Sequence, residues 1–313
     1  MKHFIITIDT EGDNLWSWKQ GDKITTKNVG YLQRFQELCE QYGFQPVWLT
    51  NYEMILDQTY VDFITKVEER KTGELGMHLH AWNTPPEYEL SMQRMGAPYL
   101  IEYPPDIMEE KIAVMTELLK ERTGIVPMTH RAGRWAMNDL YFEMLKKYGY
   151  HVDCSVTPHE SWKNHQGSTE AGAGSDYTKN PEKAYWIDED KTFLEVPVTI
   201  RHVNHFFLPE HKTLKSMAGS VKRTILGKNI WLRPGHSSEK QMQYLIERIV
   251  DSDADYLMFM LHSSEFMPGG SPNFKTAESI ENLYALLERL FARIALQFQG
   301  ITLRDYYKER KEK

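Results

Sequence analysis

Two histidines separated by one residue, His78 and His80, are the side chains best placed to bind a metal ion in this 313-residue chain. Residues 74–80 are typical of a strand, in which side chains at positions i and i+2 point to the same face. Asp9 and Glu11 end the first apolar stretch and supply carboxylates. Nitrogen and oxygen ligands together suit Zn²⁺ or a neighbouring transition ion, and three protein ligands leave a position open for water. The spacing predicts a hydrolytic metal site, although a histidine pair can also merely cap a strand.

Strand-like segments alternate with segments of helical periodicity, which favours βα units and a parallel sheet. The predicted strands are residues 3–9, 46–50, 73–80, 126–131, 151–155, 192–197, 256–262 and 301–303. The predicted helices are residues 28–42, 107–122, 138–148, 238–250 and 276–298. We expect one domain over residues 1–313, with long irregular insertions at 81–106 and 157–236 that serve as functional loops.

Further polar residues follow other predicted strands. Arg131, Arg134 and Trp135 lie at the end of the fourth strand, and His262 ends the seventh. The active sites of parallel α/β proteins lie at the carboxyl ends of their strands. We therefore expect these side chains to meet the carboxylates and the histidine pair.

Tryptophans are frequent in the loops that follow these strands. Trp16, Trp18, Trp82 and Trp135 all occupy such positions. Flat aromatic faces offer a stacking surface to pyranose rings, and packing within the loops is the alternative role for each of them.

The set of motifs, in this order, resembles the polysaccharide deacetylase superfamily, carbohydrate esterase family 4. The matching segments are residues 7–11 (TIDTE), 74–76 (ELG), 78–82 (HLHAW), 131–135 (RAGRW) and 261–262 (LH). The resemblance spans residues 3–303 and is greatest to the subgroup with an HLHxW second motif. It implies a distorted (β/α) barrel with seven or eight parallel strands, which binds a divalent metal.

The resemblance also implies roles for individual residues. Glu11, His78 and His80 would hold the metal. Asp9 would be the catalytic base, kept ionised by a two-point contact with the guanidinium of Arg131. His262 would donate a proton to the leaving amine. Substrate contacts would come from Trp82, Arg134 and Trp135.

Three departures from the family pattern leave alternatives open. The family spaces its histidines i, i+4, but position 82 here is a tryptophan, so the second histidine ligand must be His80 or the ligand must come from elsewhere. Asp9 and Glu11 replace an adjacent aspartate pair, so the two could exchange roles, or Asp13 could contribute. The fourth family motif has no match, and Asp153 or Glu195 could orient His262 instead.

Composition excludes several other classes of function. The net charge is −7, from 37 basic and 44 acidic residues, so nucleic acid is not an expected partner. Cys39 and Cys154 are too few for a disulfide framework. The first strand begins within three residues and no apolar run is long enough to span a membrane, so we expect a cytoplasmic protein. There is neither a GxSxG elbow nor a phosphate loop.

These observations predict a metal-dependent hydrolase of a carbon–nitrogen bond that deacetylates an N-acetylated sugar or a polysaccharide precursor. The expected cofactor is Zn²⁺, with Co²⁺, Ni²⁺ or Mn²⁺ as alternatives. Two other functions stay open: hydrolysis of a small amide or ureide on the same fold, and carbohydrate binding by an inactive homologue. The sequence does not indicate an oligomeric state.

Overall fold

A curled, mostly parallel sheet forms the centre of the computed structural model, which describes residues 1–19, 21–91, 97–203 and 227–313. The strands are β1 (Lys2–Thr10), β2 (Pro46–Thr50), β3 (Glu74–Leu79), β4 (Thr129–Ala132), β5 (Val152–Asp153), β6 (Tyr185–Trp186), β7 (Leu194–Glu195), β8 (Ile200–Val203), β9 (Lys228–Trp231), β10 (Tyr256–His262) and β11 (Phe298–Gly300). The main sheet has the order β10-β1-β2-β3-β4-β5-β7-β6, and β11 pairs with the start of β1. Among the described strands of this sheet, only β6 runs antiparallel to its neighbour. The strands β8 and β9 form a separate two-stranded antiparallel sheet. Within the described residues, eight parallel strands with helices around them make a distorted (β/α) half-barrel, which confirms the predicted fold class.

Helices connect most of the parallel strands. They are α1 (Leu32–Gln41), α2 (Tyr52–Leu56), α3 (Gln58–Glu69), α4 (Pro105–Thr123), α5 (Asp139–Lys147), α6 (Glu239–Val250), α7 (Ala277–Ile294) and α8 (Leu303–Lys311). Local capping residues determine where several helices begin and end. Ser238 begins α6 with a capping box, and Gly124 ends α4 in the left-handed conformation at φ 75°. Among the described residues, no helix is both long enough and apolar enough to cross a membrane.

The predicted strand at residues 301–303 is wrong. The strand β11 lies earlier, at Phe298–Gly300, and Leu303 already begins α8. The side chain of Thr302 accepts a hydrogen bond from the backbone N–H of Asp305 and so caps the helix. The apolar pair Ile301 and Leu303 is buried, but it belongs to the turn into a helix and not to a strand.

Alternation along β1 separates the two sides of the sheet. Phe4, Ile6 and Ile8 pack beneath the helices, whereas Ile5 belongs to a second buried cluster on the inner side of the curl. Side chains in a strand alternate between faces with a period of two, so Asp9 continues the inward row. The first carboxylate of the predicted site is therefore directed into the half-barrel by the strand itself.

Glu74, at the start of β3, carries a prediction about stability and pH. Its side chain is fully buried, and burial raises the pKa of its carboxyl to about 7, although the backbone N–H of Arg304 donates to Oε2 at 2.9 Å. A carboxyl whose pKa is raised in the folded state contributes its full stabilisation at pH values below its pKa in the unfolded chain, near 4.5. This stabilisation is lost as the pH rises through the folded-state pKa of about 7. We expect Glu74→Gln, which cannot ionise, to raise the free energy of unfolding at pH 8 by about 1–3 kcal/mol.

Urea denaturation at pH 5 and pH 8 measures this effect. The gain should shrink at pH 5, where wild-type Glu74 is mostly protonated. The exposed Glu121→Gln on α4 is the matched control and should change neither value. A gain of equal size at both pH values would mean that ionisation of Glu74 does not limit stability.

Candidate active site

The ends of β1, β3, β4 and β10 meet at one edge of the sheet. In the register of the parallel strands Asp9 pairs with His262, and His78 pairs with Arg131. Glu11 follows β1 directly and lies beside His78. The carboxylates, the histidine pair, the arginine and the last histidine are therefore brought together, as expected from the carboxyl ends of parallel strands.

Glu11, His78 and His80 form a buried group that fits a metal ion. One ligand atom from each lies within 4.8 Å of the other two. Glu11 Oε2 is 3.7 Å from His78 Nε2 and 3.4 Å from His80 Nε2. His78 Nδ1 lies 2.9 Å from the carbonyl oxygen of Arg131, to which it donates, and this leaves the Nε2 lone pair facing Glu11. Two imidazole nitrogens and one carboxylate make a donor set suited to Zn²⁺ and its neighbours.

Asp9 is held by the buried guanidinium of Arg131. Arg131 Nη1 donates to Asp9 Oδ1 at 2.6 Å, while Nη2 donates to Thr7 Oγ1 at 2.9 Å and Nε to the Cys154 carbonyl at 3.0 Å. The expected two-point contact with the carboxylate is thus wrong, because one arm of the guanidinium is engaged by Thr7. The second oxygen, Oδ2, stays on the side of His262, 3.8 Å from its Nε2.

The charge state of Asp9 follows from this setting. Burial alone would raise the pKa of the carboxyl, but the charges of Arg131, His78 and His262 outweigh it and lower the pKa to about 2. Asp9 is therefore ionised throughout the neutral range.

His262 is oriented by Glu265 and Arg233. Its Nδ1 lies 3.3 Å from Glu265 Oε2 and 3.0 Å from Arg233 Nη2, and its Nε2 faces Glu11 Oε1 at 3.9 Å. Burial would raise the pKa of Glu265, but the neighbouring Arg233 and His262 lower it to about 2, so an anion lies beside the imidazole. Neither partner was predicted. Glu265 lies three residues after His262, which is a signal for a local contact, whereas Arg233 lies in an insertion without readable structure.

Asp153 and Glu195 do not orient His262, contrary to one alternative from the sequence. Asp153 Oδ1 contacts His130 Nδ1 at 2.6 Å, and Glu195 Oε1 accepts from the backbone N–H of Val156 at 3.0 Å. The two acidic residues are cross-strand neighbours in β5 and β7. Val152 and Cys154, the residues on either side of Asp153, pack on the inner side of the sheet, so Asp153 faces outward, away from His262.

Asp13 does not join the metal group either. Its carboxylate accepts from the backbone N–H of Lys27 at 2.6 Å and from Thr25 Oγ1 at 2.9 Å. The segment that follows β1 is also held by Glu53, whose carboxylate accepts a hydrogen bond from the backbone N–H of Gly12 at 2.6 Å. Glycine is required at position 12, because a Cβ there would lie 2.3 Å from a methyl group of Ile24.

A cavity of about 410 Å³ opens over these residues, within the usual range of small-molecule sites. Its aromatic lining consists of Trp16, Trp18, Trp82, Tyr99, Trp135 and Trp162. Trp82 stacks on His80 with ring centroids 4.2 Å apart, and Trp16 contacts His262 edge to face at 5.0 Å. The predicted tryptophans thus line the cavity, together with Tyr99 and Trp162, which no sequence pattern singles out. Such walls offer stacking surfaces to sugar rings.

Arg134 lines the cavity and joins the two insertions across it. Its Nη1 donates to the carbonyl of Ala97 and its Nη2 to that of Gln166 at 3.0 Å, while the guanidinium lies 4.0 Å from the ring centroid of Tyr99. Arg134 and Trp135 both have positive φ, 56° and 64°, a conformation that is rare outside glycine and often found at functional sites. Both terminal nitrogens of Arg134 already donate to backbone carbonyls. The substrate contact predicted for this residue stays a prediction.

Glu102 is a second link between the insertions, and it carries a prediction. Its carboxylate accepts from the backbone N–H groups of Tyr99 at 2.6 Å, Ser168 at 3.1 Å and Thr169 at 2.8 Å. We expect Glu102→Ala to loosen this wall of the cavity, raising KM about tenfold while kcat changes much less, because uniform binding is lost. Steady-state kinetics on the N-acetylated sugars predicted from the sequence measure both constants, with the exposed Glu121→Ala as control. A fall in kcat with KM unchanged would instead connect Glu102 to the chemical step.

Comparisons with known proteins identify the fold. Neither a protein-family model nor a curated protein sequence matches the chain. Among solved structures, a Mycobacterium smegmatis protein described as a polysaccharide deacetylase is similar at 12% identity and a TM-score of 0.55, over 98% of this chain and 90% of that one. The 4-alpha-glucanotransferase of Thermococcus litoralis (12% identity, TM-score 0.57) and the GH57 branching enzyme of Thermococcus kodakaraensis (10%, 0.56) also match over 98% of this chain. The chain spans 40% of the former and 71% of the latter.

The resemblance to polysaccharide deacetylases is thus confirmed at the level of the fold. The 4-alpha-glucanotransferase and the GH57 branching enzyme share the same architecture with similar TM-scores. Because one fold hosts different reactions, the side chains at the edge of the sheet must decide between them.

Proposed function

We propose that this protein is a metal-dependent hydrolase that removes the acetyl group from an N-acetylated sugar or polysaccharide precursor. One observation carries the proposal: the buried group Glu11, His78 and His80 lies beside an ionised Asp9 and an oriented His262. All five residues line the aromatic cavity. Metal ligands, a proton acceptor and a proton donor around a space of this size suit the metal-assisted hydrolysis of an amide on a sugar.

The side chains divide the chemistry between them. A divalent cation held by Glu11, His78 and His80 would lower the pKa of a bound water towards about 7 and polarise the scissile carbonyl. Asp9 accepts the proton of the attacking water, and Arg131 keeps the carboxylate ionised and fixed. His262 donates a proton to the nitrogen that leaves, since an amide nitrogen departs poorly without one.

The donor set supports Zn²⁺ as the cofactor, with Co²⁺, Ni²⁺ or Mn²⁺ as alternatives. Trp82 and Trp135 are the proposed stacking surfaces for the sugar, and Arg134, which lines the same cavity, is a further proposed substrate contact. The partner is thus a carbohydrate or a small amide, while the cytoplasmic location and the single domain over residues 1–313 stay predictions.

Metal analysis of the purified protein tests the proposal. We expect about one divalent ion per chain, and loss of that ion in His78→Ala, because a site of three ligands does not tolerate losing one. The control is His202→Ala, which removes an exposed histidine on β8, outside the cavity. Absence of metal from the wild-type protein, combined with retained sugar binding, would favour an inactive carbohydrate-binding homologue.

Substrate profiling separates the two enzymatic alternatives. Release of acetate from N-acetylglucosamine and its oligomers supports the proposed deacetylase. Ring opening of cyclic ureides, or hydrolysis of small linear amides without action on sugars, would assign the same metal site to the other class. A glucan-processing activity, which the fold alone permits, would leave the two imidazoles beside Glu11 without a role.

A further inference from the structure

The two histidines of the metal group have different partners at Nδ1. His78 contacts the backbone carbonyl of Arg131, whereas His80 contacts the side-chain amide of Asn51. We propose that Asn51 is a positioning residue that keeps the proton of metal-free His80 on Nε2, so that metal binding requires the Asn51 amide to turn. This inference rests on the proposed metal centre, and it adds a residue that controls how readily that centre is filled.

The orientation of the Asn51 amide is fixed by the chain around it. Asn51 is fully buried between β2 and α2, and its Oδ1 caps α2 by accepting from the backbone N–H of Tyr52 at 2.8 Å. The backbone N–H of His80 also points to this oxygen, at 3.4 Å. The amide nitrogen Nδ2 consequently lies 2.9 Å from His80 Nδ1 and 3.4 Å from Glu53 Oε1.

This orientation determines the tautomer of His80. An amide NH₂ group only donates, so His80 Nδ1 must accept, and the neutral ring then carries its hydrogen on Nε2. That Nε2 lies 3.4 Å from Glu11 Oε2, on the side of the proposed metal position. His78 has the opposite arrangement, because its Nδ1 donates to a backbone carbonyl and the neutral ring then presents the lone pair of Nε2 on the side of Glu11, 3.7 Å from Oε2. One imidazole is ready for a metal, and the other is occupied by a proton.

For His80 to bind a cation through Nε2, the proton there must leave and another must be taken up at Nδ1. The ring keeps one proton overall, but Nδ1–H then needs an acceptor. Turning the Asn51 amide supplies Oδ1, at the cost of the cap on Tyr52 and of the contact with the His80 backbone. This rearrangement lowers the affinity of the site for metal compared with a site in which the residue facing His80 Nδ1 is always a hydrogen-bond acceptor. Residues that hydrogen-bond a metal-binding histidine in this way alter metal affinity about 10- to 100-fold.

The tautomer can be measured directly in the metal-free protein. Long-range ¹H–¹⁵N correlation spectra of histidine-labelled protein, assigned with His80→Gln, distinguish the Nε2–H and Nδ1–H forms. We expect Nε2–H for His80 and Nδ1–H for His78 before metal is added. Nδ1–H in metal-free His80 would overturn the proposal without touching the proposed function.

Titration of the metal-free variants with Zn²⁺ tests the consequence. Asn51→Asp retains the cap and offers Nδ1–H a permanent acceptor, so affinity should rise about tenfold or more. Asn51→Ser also retains a capping oxygen and removes the NH₂ donor without adding charge, so affinity should rise by a smaller factor. Asn138→Asp, the same change at the exposed cap of α5, is the matched control and should have the wild-type affinity.

The outcomes separate the inference from the proposed function. If the wild type binds Zn²⁺ and neither variant at position 51 binds more tightly, or only the charged one does, Asn51 does not control the site. If neither the wild type nor any variant binds Zn²⁺, the proposed metal centre is wrong, and the proposed role of Asn51 is wrong with it.

Discussion

Asp9→Asn should bind the metal as the wild-type protein does and lose turnover by about 10²- to 10⁴-fold, the usual contribution of a general base. The amide cannot accept a proton, while the three side chains of the metal group are unchanged. Metal stoichiometry and acetate release, measured on the same sample, check the two halves of this expectation. Loss of the metal in Asp9→Asn would instead make Asp9 a ligand, the exchange of roles with Glu11 that the sequence leaves open.

The stability of Asp9→Asn must be followed in the same experiment. Arg131 is fully buried, and removing its anionic partner leaves a buried charge unpaired, which costs about 3–5 kcal/mol. Thermal unfolding of the variant shows whether it is folded at the assay temperature, and its retained metal serves as a second check on the site. A folded, metal-loaded and inactive variant is the expected result.

The pH dependence of Asp9 has a definite sign. Its pKa is lowered to about 2, so the stability that the Asp9–Arg131 pair contributes is present above the unfolded value of 3.8 and is lost only as the pH falls through about 2. A loss of activity between pH 4 and pH 6 would therefore report on other groups than Asp9.

The strands that carry the site were predictable from the sequence because their signal is local. The bounds of β2 and β10 agree with prediction, and β1 differs by one residue at each end. A strand's period of two also fixes which of its residues point inward. Once parallel strands are assumed, Asp9, His78 and His262 must meet at one edge.

The contacts that tune the site could not be predicted, because tertiary structure alone creates them. Asn51 meets His80 across 29 positions of sequence, and Arg233 meets His262 across the same number. The single-arm contact of Arg131 with Asp9 depends on Thr7, two residues away on β1. No periodicity or motif encodes such distances.

The insertions show a second limit of the sequence. Residues 81–106 and 157–236 were expected as insertions. Four strands, β6 to β9, lie within the second one, and only β7 had been predicted, as residues 192–197. Residues 204–226 of this insertion lie outside the part that the structure describes. The two insertions are joined through Glu102 and Arg134, whose partners are mostly backbone groups. Nearly every residue type offers the same backbone N–H and C=O groups, so contacts to the backbone cannot be predicted from the sequence.

His262→Ala should slow the hydrolysis of amide substrates by about 10²- to 10⁴-fold, and should slow activated aryl acetates far less. An amide nitrogen must be protonated in order to leave, whereas a phenolate with electron-withdrawing groups departs without a proton. His262 is placed for this donation, since its Nε2 faces the carboxylates at 3.8 and 3.9 Å. Glu265 and Arg233 hold the other side of the ring.

Comparing the two substrate classes removes the effects that would otherwise obscure the result. A change in folding, in metal content or in access to the cavity would slow amides and aryl acetates alike, so only the ratio of the two rates reports proton donation. His202→Ala, at an exposed position on β8, should leave both rates at the wild-type level. Equal slowing of both classes in His262→Ala would mean that the imidazole stabilises charge or shapes the site, and the proton for the departing amine would have to come from another group.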